Sequence, residues 1–251
     1  MKGAIFISRG YKNESITMFH KKLRLLAGLV VCACLAANSQ AIFSKDSKGI
    51  QNSRLDERQV RTPAIGQTWV YQVRNMYNNL IEDEITESVV EITPNIKIER
   101  SSKKYGSLQP EIQSAVGMIL TDPYWSPAVN FSKPKPMWFF EVGSEPNYTS
   151  SYWVDDGSGS YSWTSAFKSL GSETVSVNGE TYHSVNSEEA IQFTGSNFSK
   201  KANRRTSVIW LVPNIGRWVV RVVNGSYYDT NSGLGGDRYE NFLRYELISW
   251  K

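Results

Sequence analysis

From Pro63 onward the chain alternates apolar and polar positions with a period of two. Trp69, Tyr71, Val73 and Tyr77 alternate with more polar neighbours, the spacing of a half-buried strand. Asn78-Asn79 predicts a tight turn, residues 80–93 a second strand, Pro94-Asn95 another turn, and 96–100 a third strand. Together these make an antiparallel meander. The strongest local signal lies further on, at 173–185. There Asn178-Gly179 supplies the two positive φ angles of a type I′ turn, and both flanks alternate cleanly. Further strands are predicted at 137–142, 189–194, 207–211, 217–223 and 242–250, with a Gly/Ser-tipped hairpin over 152–163 and a Gly-rich loop over 230–237.

Two stretches break the alternation. Pro110-Glu111 suits a first helical turn, and Ile112, Ala115, Val116 and Ile119 would share one helical face, so a short helix is expected over 110–119. Pro123, Pro127, Pro134 and Pro136 make 121–136 an expected loop, since proline cannot donate to a sheet ladder. The pattern predicts an all-β fold. A strongly curved antiparallel sheet or open half-barrel of eight to eleven strands is expected, with one short helix closing an end.

Several segments carry a resemblance. They are Ile65-Gly-Gln-Thr-Trp-Val-Tyr71, the hairpin from Gly171 to Val185, Trp210-Leu-Val-Pro-Asn-Ile-Gly-Arg-Trp-Val-Val-Arg221 and Tyr245-Glu-Leu-Ile-Ser-Trp250. Over 65–77 and 171–250 the chain resembles uncharacterised bacterial envelope proteins, periplasmic or lipoprotein-like, built on an antiparallel β domain. The resemblance rests on turns and strand patterns and contains no catalytic residue. It implies architecture and compartment rather than activity.

Ahead of the β pattern, the stretch from Met18 to Ala41 has the three parts of an export signal. Lys21, Lys22 and Arg24 form a basic flank, residues 25–37 an apolar run, and Ser39-Gln40-Ala41 a small-residue exit. The run is too short for a comfortable membrane span of about 20 residues. Residues 1–41 therefore read as a signal segment, with Met1 and Met18 as alternative starts, and 42–62 as a polar, flexible lead-in. A single β domain follows at 63–251. Cleavage after Ala41 gives a soluble product beginning at Ile42. Val31-Cys32-Ala33-Cys34 offers the alternative of a lipidated N-terminus at Cys34, and only that product would be anchored to a membrane.

Export changes the charge balance. The whole chain carries 28 basic and 24 acidic residues, but six of the basic and one of the acidic lie in 1–41. What remains is 22 against 23, so no global basic field attracts nucleic acid. The clusters at Lys200-Lys201/Arg204-Arg205 and at Arg100/Lys103-Lys104 read as solvated loops.

Export also removes most of the reactive chemistry. Both cysteines and His20 lie within 1–41, leaving His183 as the lone imidazole and no thiol. That excludes Cys/His nucleophiles, His-rich zinc sites and thiol redox centres. His183 sits on a predicted strand with no nucleophile elbow in the sequence, so it reads as packed or solvated. Asp155-Asp156-Gly-Ser-Gly loosely suggests a calcium loop, but position twelve counted from Asp155 is Ala166, and a turn is the simpler reading. Gly233-Leu-Gly-Gly236 lacks the Lys-Ser/Thr and helix of a phosphate cradle. Glu188 and Glu189 are neighbours on a strand and point to opposite faces. No catalytic residue, metal ligand or cofactor is assigned.

All eight Trp lie beyond residue 41. The expected function is that of an exported, non-enzymatic envelope protein, periplasmic or extracellular. It would bind an apolar ligand or a partner protein on a concave face lined by Trp69, Tyr71, Trp138, Phe140, Trp210 and Trp218. A carboxylate-dependent secreted hydrolase and a small outer-membrane β-barrel are the alternatives.

Overall fold

The computed structural model describes residues 60–137, 147–195, 197, 199–231 and 235–251. Residues 1–59, with the export signal, Cys34 and most of the lead-in, lie outside them, as do Trp138 and Phe140. Among the described residues every regular element is a strand. In chain order they are β1 (Thr68–Asn75), β2 (Ile81–Glu91), β3 (Ile96–Ser102), β4 (Gly106–Ala115), β5 (Met118–Asp122), β6 (Val129–Pro136) and β7 (Asn147–Trp153). The remainder are β8 (Ser160–Val177), β9 (Glu180–Phe193), β10 (Lys200–Val212), β11 (Arg217–Asp229), β12 (Gly236–Tyr239) and β13 (Leu243–Trp250).

Sequential strands pair antiparallel from β1 through to β11, β11 pairs with β13, and β13 pairs back with β1. Twelve strands thus close into a barrel. The expected open half-barrel is corrected to a closed one, because its two ends are joined by β13; the strand expected at 242–250 is present, but no local pattern announces its pairing with β1 and β11. The thirteenth strand, β12, pairs with Ser226–Asp229 of β11 beyond the point where β13 leaves it. There β10, β11 and β12 form a three-stranded flap.

Within the wall, the expected meander is present as β1, β2 and β3. The Asn178-Gly179 turn joins β8 to β9 with φ of 50° and 82°, so both residues occupy the left-handed region the turn requires. The hairpin strands run much longer than expected, however. The flanks of that turn continue to Trp163↔Phe193, absorbing the strand expected at 189–194. The basic cluster at 200–205, expected as a loop, lies in β10. The Gly-rich stretch expected as a loop ends in β12.

The helix expected over 110–119 is absent. Those residues form β4, a turn at Val116-Gly117, and the start of β5. What misled the period count is the chemistry of the inward positions. Glu111 and Gln113 are the buried residues of β4, while Ile112 between them is only half-buried. The loop expected over 121–136 is largely β6. Its prolines are tolerated because β6 meets β7 only at Asn130 and Phe131, leaving Pro134 and Pro136 no ladder to interrupt on that side.

The core fills the barrel with rings. Trp218 stacks on Tyr71 at 4.0 Å between centroids, and Tyr124 meets Trp218 edge-on at 5.5 Å. A second group surrounds Trp163, which stacks on Phe193 and takes the edges of Phe131 and Tyr152. Each such side chain contributes about 1.5–3 kcal/mol on full burial. The lead-in's last residues are tied to this body, since Arg61 N–H donates to the Pro213 carbonyl at 2.9 Å.

Candidate functional site

Inside the barrel, period-two burial brings charged side chains to the inner face. β2 contributes Glu87, β3 Arg100, β4 Glu111, β5 Asp122, β6 Lys135, β9 Glu189, and β11 both Arg217 and Arg221, all buried. Four acids and four bases make a charge-balanced cluster. Burial of unpaired charge is prohibitive, so the geometry of pairing decides whether such a cluster can exist.

One half is organised by Arg217. Its Nε and Nη2 donate to Glu87 Oε2 at 3.1 and 2.7 Å, and Nη1 and Nη2 donate to the two oxygens of Glu111 at 2.7 and 2.8 Å. Arg100 Nε donates to the other oxygen of Glu87 at 3.0 Å, and the Tyr124 hydroxyl donates to that same oxygen. Gln113 donates to Glu111. The bidentate fork on Glu111 is the strongest geometry available to an arginine.

The other half is organised by Lys135. Its Nζ donates to Asp122 Oδ2 at 2.9 Å and to both oxygens of Glu189 at 3.1–3.2 Å, while the Ser165 hydroxyl donates to Glu189 at 2.7 Å. The ammonium lies 5.4 Å from the Phe131 ring centre and 5.7 Å from that of Trp163. Tyr124 joins the halves. Its N–H donates to Asp122 at 3.2 Å, and the guanidinium groups of Arg100 and Arg221 lie 4.3 and 4.0 Å from its ring centre.

The electrostatics follow from the pairing. Burial pushes the Asp122 carboxyl up, but Lys135 and Arg221 outweigh it and hold the group well below the usual carboxylate range. Burial likewise opposes ionisation of Glu87, and Arg217 with Arg100 prevails. For Tyr71 and Tyr124, burial dominates and raises the phenols well above 10. Around neutral pH these two carboxyls are ionised and the phenols protonated.

Arg221 is the least satisfied member. It reaches Asp122 only at 3.5 Å, and its Nε has no protein partner. It lines a cavity of about 20 Å³ together with Asp122, Lys135, Phe167, Glu189 and Ile209. That is room for about one water. Among the described residues no group of three or more His, Cys, Asp or Glu is placed to hold a metal.

Of the residues singled out from sequence, Tyr71 and Trp218 are brought together in the core, while Trp210 and His183 lie apart from them. Trp69, Tyr71 and Trp218 are fully buried in the core. The Tyr71 hydroxyl donates to the Trp218 carbonyl at 3.0 Å. Trp210 is half-buried, its indole N–H donating to the exposed Glu173. His183 is exposed on β9, opposite Thr174. Asp156 accepts from the Ser158 N–H at 2.8 Å and thereby closes a hairpin tip. Glu189 is buried and Glu188 is not, as their adjacency on a strand requires.

Sequence reasoning missed the ion cluster. One signal was available, in Arg217-Trp-Val-Val-Arg221, where two arginines bracket an apolar run whose every residue is buried.

No protein-family model matches the chain, and no curated protein does. Among solved structures, the chain is similar to the following three and to others. A candidate lipoprotein from Parabacteroides distasonis is 11% identical with a TM-score of 0.47, over 77% of this chain and 98% of its own. A candidate exported protein with a YmcC-like fold from Bacteroides fragilis is 9% identical with a TM-score of 0.48, over 76% and 98%. The hypothetical lipoprotein YmcC from Escherichia coli is 13% identical with a TM-score of 0.39, over 75% and 90%.

Proposed function

We propose that this is an exported, non-enzymatic protein of the cell envelope that acts through the outer surface of a filled barrel, by binding a partner there. The leader over 18–41 supports export. The observation that carries the mode of action is the paired-ion interior. Trp69, Tyr71 and Trp218 are in contact with core neighbours, and the cavity beside Lys135 and Arg221 has room for about one water. Both observations weigh against an apolar ligand seated among the described rings.

The same cluster weighs against a carboxylate-dependent hydrolase. Such an enzyme needs one acid that carries its proton near neutral pH. Glu87 and Asp122 are instead held ionised by the cations that neutralise them.

The outer face weighs against a membrane-spanning barrel. Gln72 stands between Glu84 and Glu246, Arg74 is opposite Arg244, and Lys168 is opposite Glu188. An Arg or Lys facing lipid at mid-membrane costs about 2–4 kcal/mol.

Native mass spectrometry of protein isolated from the producing cell tests the reading. The expected mass is that of the processed polypeptide alone. A stoichiometric apolar passenger, lost on denaturation, would overturn it.

A further inference from the structure

One end of the barrel gathers exposed apolar and cationic side chains. The turn between β1 and β2 presents Tyr77, Leu80 and Ile81 at 60, 63 and 57% exposure, and Tyr239 of β12 is 75% exposed. These belong to one surface. The Tyr77 hydroxyl donates to the Glu240 carbonyl at 3.0 Å, its ring meets Phe242 edge-on at 5.7 Å, and Met76 N–H donates to the Phe242 carbonyl at 2.8 Å.

The flap supplies the charge. Directly paired residues of a ladder share a face, so the register places Lys201, Tyr228 and Asp237 in one row and Arg204, Ser226 and Tyr239 in the next. Two cations and two tyrosines therefore stand on the same face with a single acid. Neither Lys201 nor Arg204 forms an ion pair among the described residues. Arg205, next in the chain, turns inward to Glu240 at 2.7 Å. On the flap's other side Lys200 lies 4.3 Å from the Tyr227 ring centre, and Arg238 lies 4.0 Å from Asp229. Four cations face two acids over the flap, in a chain that beyond residue 41 carries one more acid than base.

Three acids flank the apolar turn; Glu84 is paired with a cation, while Glu82 and Asp83 are held by neutral donors and keep their charge, so attraction to an anionic surface rests on the flap. Glu82 accepts from Asn75, Asp83 from Ser102 and from the Lys104 N–H, and Glu84 pairs with Lys103 at 3.8 Å.

We propose that this end of the barrel rests on an anionic phospholipid surface. Leu80 and Ile81 enter the headgroup boundary. Tyr77, Tyr228 and Tyr239 sit at the interface, where an amphipathic ring has its apolar body and its hydroxyl both satisfied. Lys201 and Arg204 meet lipid phosphates. Scattered exposed hydrophobics need no explanation, but here they coincide with interfacial tyrosines and unpaired cations at one end. The proposal names the surface on which the outer-face reading above would act, and it takes that reading as its premise.

The test is flotation of the exported protein with vesicles of phosphatidylcholine alone, or with about one third phosphatidylglycerol, at low salt and at ~0.5 M NaCl, where the Debye length is ~4 Å. Binding is expected to the anionic vesicles at low salt, with most of it lost in salt. Each cation near such a surface is worth roughly fivefold, so Lys201→Gln with Arg204→Gln should weaken binding about 30-fold. Leu80→Ser with Ile81→Ser should weaken it about tenfold or more, whatever the salt. Lys168→Gln, on the barrel wall, should change nothing. All these positions are exposed or partly so, and unchanged melting verifies each fold. Equal binding to both vesicles, none to either, or full binding by the Lys201/Arg204 variant overturns the proposal. A passenger found by mass spectrometry would overturn the filled-barrel reading and leave the vesicle result standing.

Discussion

Removing the Arg217 cation is the sharpest perturbation the barrel offers. Its guanidinium holds Glu87 and Glu111 together from strands far apart in the chain, making four hydrogen bonds of 2.7–3.1 Å to them and one of 3.1 Å with the Tyr124 hydroxyl. Arg217→Met keeps most of the apolar stem and deletes the charge. Glu87 would retain Arg100 and Tyr124, but Glu111 would keep only Gln113 and become a buried carboxylate with no cation. Breaking a buried pair in this way costs about 3–5 kcal/mol. For a domain of this size that is a fall in Tm of roughly 6–20 °C. Urea unfolding followed by tryptophan fluorescence measures it directly.

The companion variant separates charge from packing. Glu111→Gln alone should also destabilise, because it leaves Arg217 one anion short. Combined with Arg217→Met it should cost less than the two singles added, since the stranded carboxylate is gone. A coupling of 1 kcal/mol or more is expected, at the scale of neighbours in one network. If Arg217→Met costs under about 1 kcal/mol with an unchanged m-value, the cluster is not the buried, mutually dependent network described, and the reasoning fails.

Three further outcomes are expected. The urea midpoint should be nearly flat from about pH 5 to 9. Glu87 and Asp122 titrate below their unfolded values, so their stabilisation is present above about pH 4 and lost as the pH falls further. Tyr71, Tyr124 and Tyr245 titrate above 10, so theirs is present below pH 10 and lost as the pH rises through and beyond it; a steep change between pH 6 and 8 would contradict this. Gly179→Val should cost about 1–3 kcal/mol in thermal or urea unfolding, because φ is +82° there. Gly171→Val should cost as much, since Gly171 is no loop residue but sits at a bulge in β8 with φ of +96°. Intact mass of the exported protein should begin at Ile42; a diacylated Cys34 would instead make it a lipoprotein, and a retained Met18 would refute export.

The legible parts of the fold are those whose inward residues are apolar. Trp69, Tyr71 and Val73 announced β1, and Asn178-Gly179 announced the β8–β9 hairpin. The barrel's middle was illegible because its inward positions are Glu111, Gln113, Asp122 and Lys135, which a hydrophobic count assigns to solvent. The ion cluster was hidden for a related reason. Glu87 and Arg217 lie 130 residues apart, and no spacing rule connects them. Closure by β1–β13, which sets Trp69 opposite Trp250, is equally non-local. Aromatic content suggested a lined face, but composition does not distinguish a ring that fills a core from one that borders a cavity.

The pairing of β13 with β1 governs how the barrel can be assembled. Thr68 and Lys251 exchange N–H···O bonds of 3.0 Å, so the first strand of the wall is completed by the last. The meander from β1 to β11 can form by neighbour-to-neighbour hairpins, but β1 and β11 keep open edges until β13 arrives between them. That final step closes a loop spanning most of the chain and is slow by its topology. In the export proposed above, a wall that stays unsealed until β13 emerges would leave the chain threadable during passage across a membrane. Truncation before Leu243 would leave two unpaired edges in one molecule, each a template for another chain.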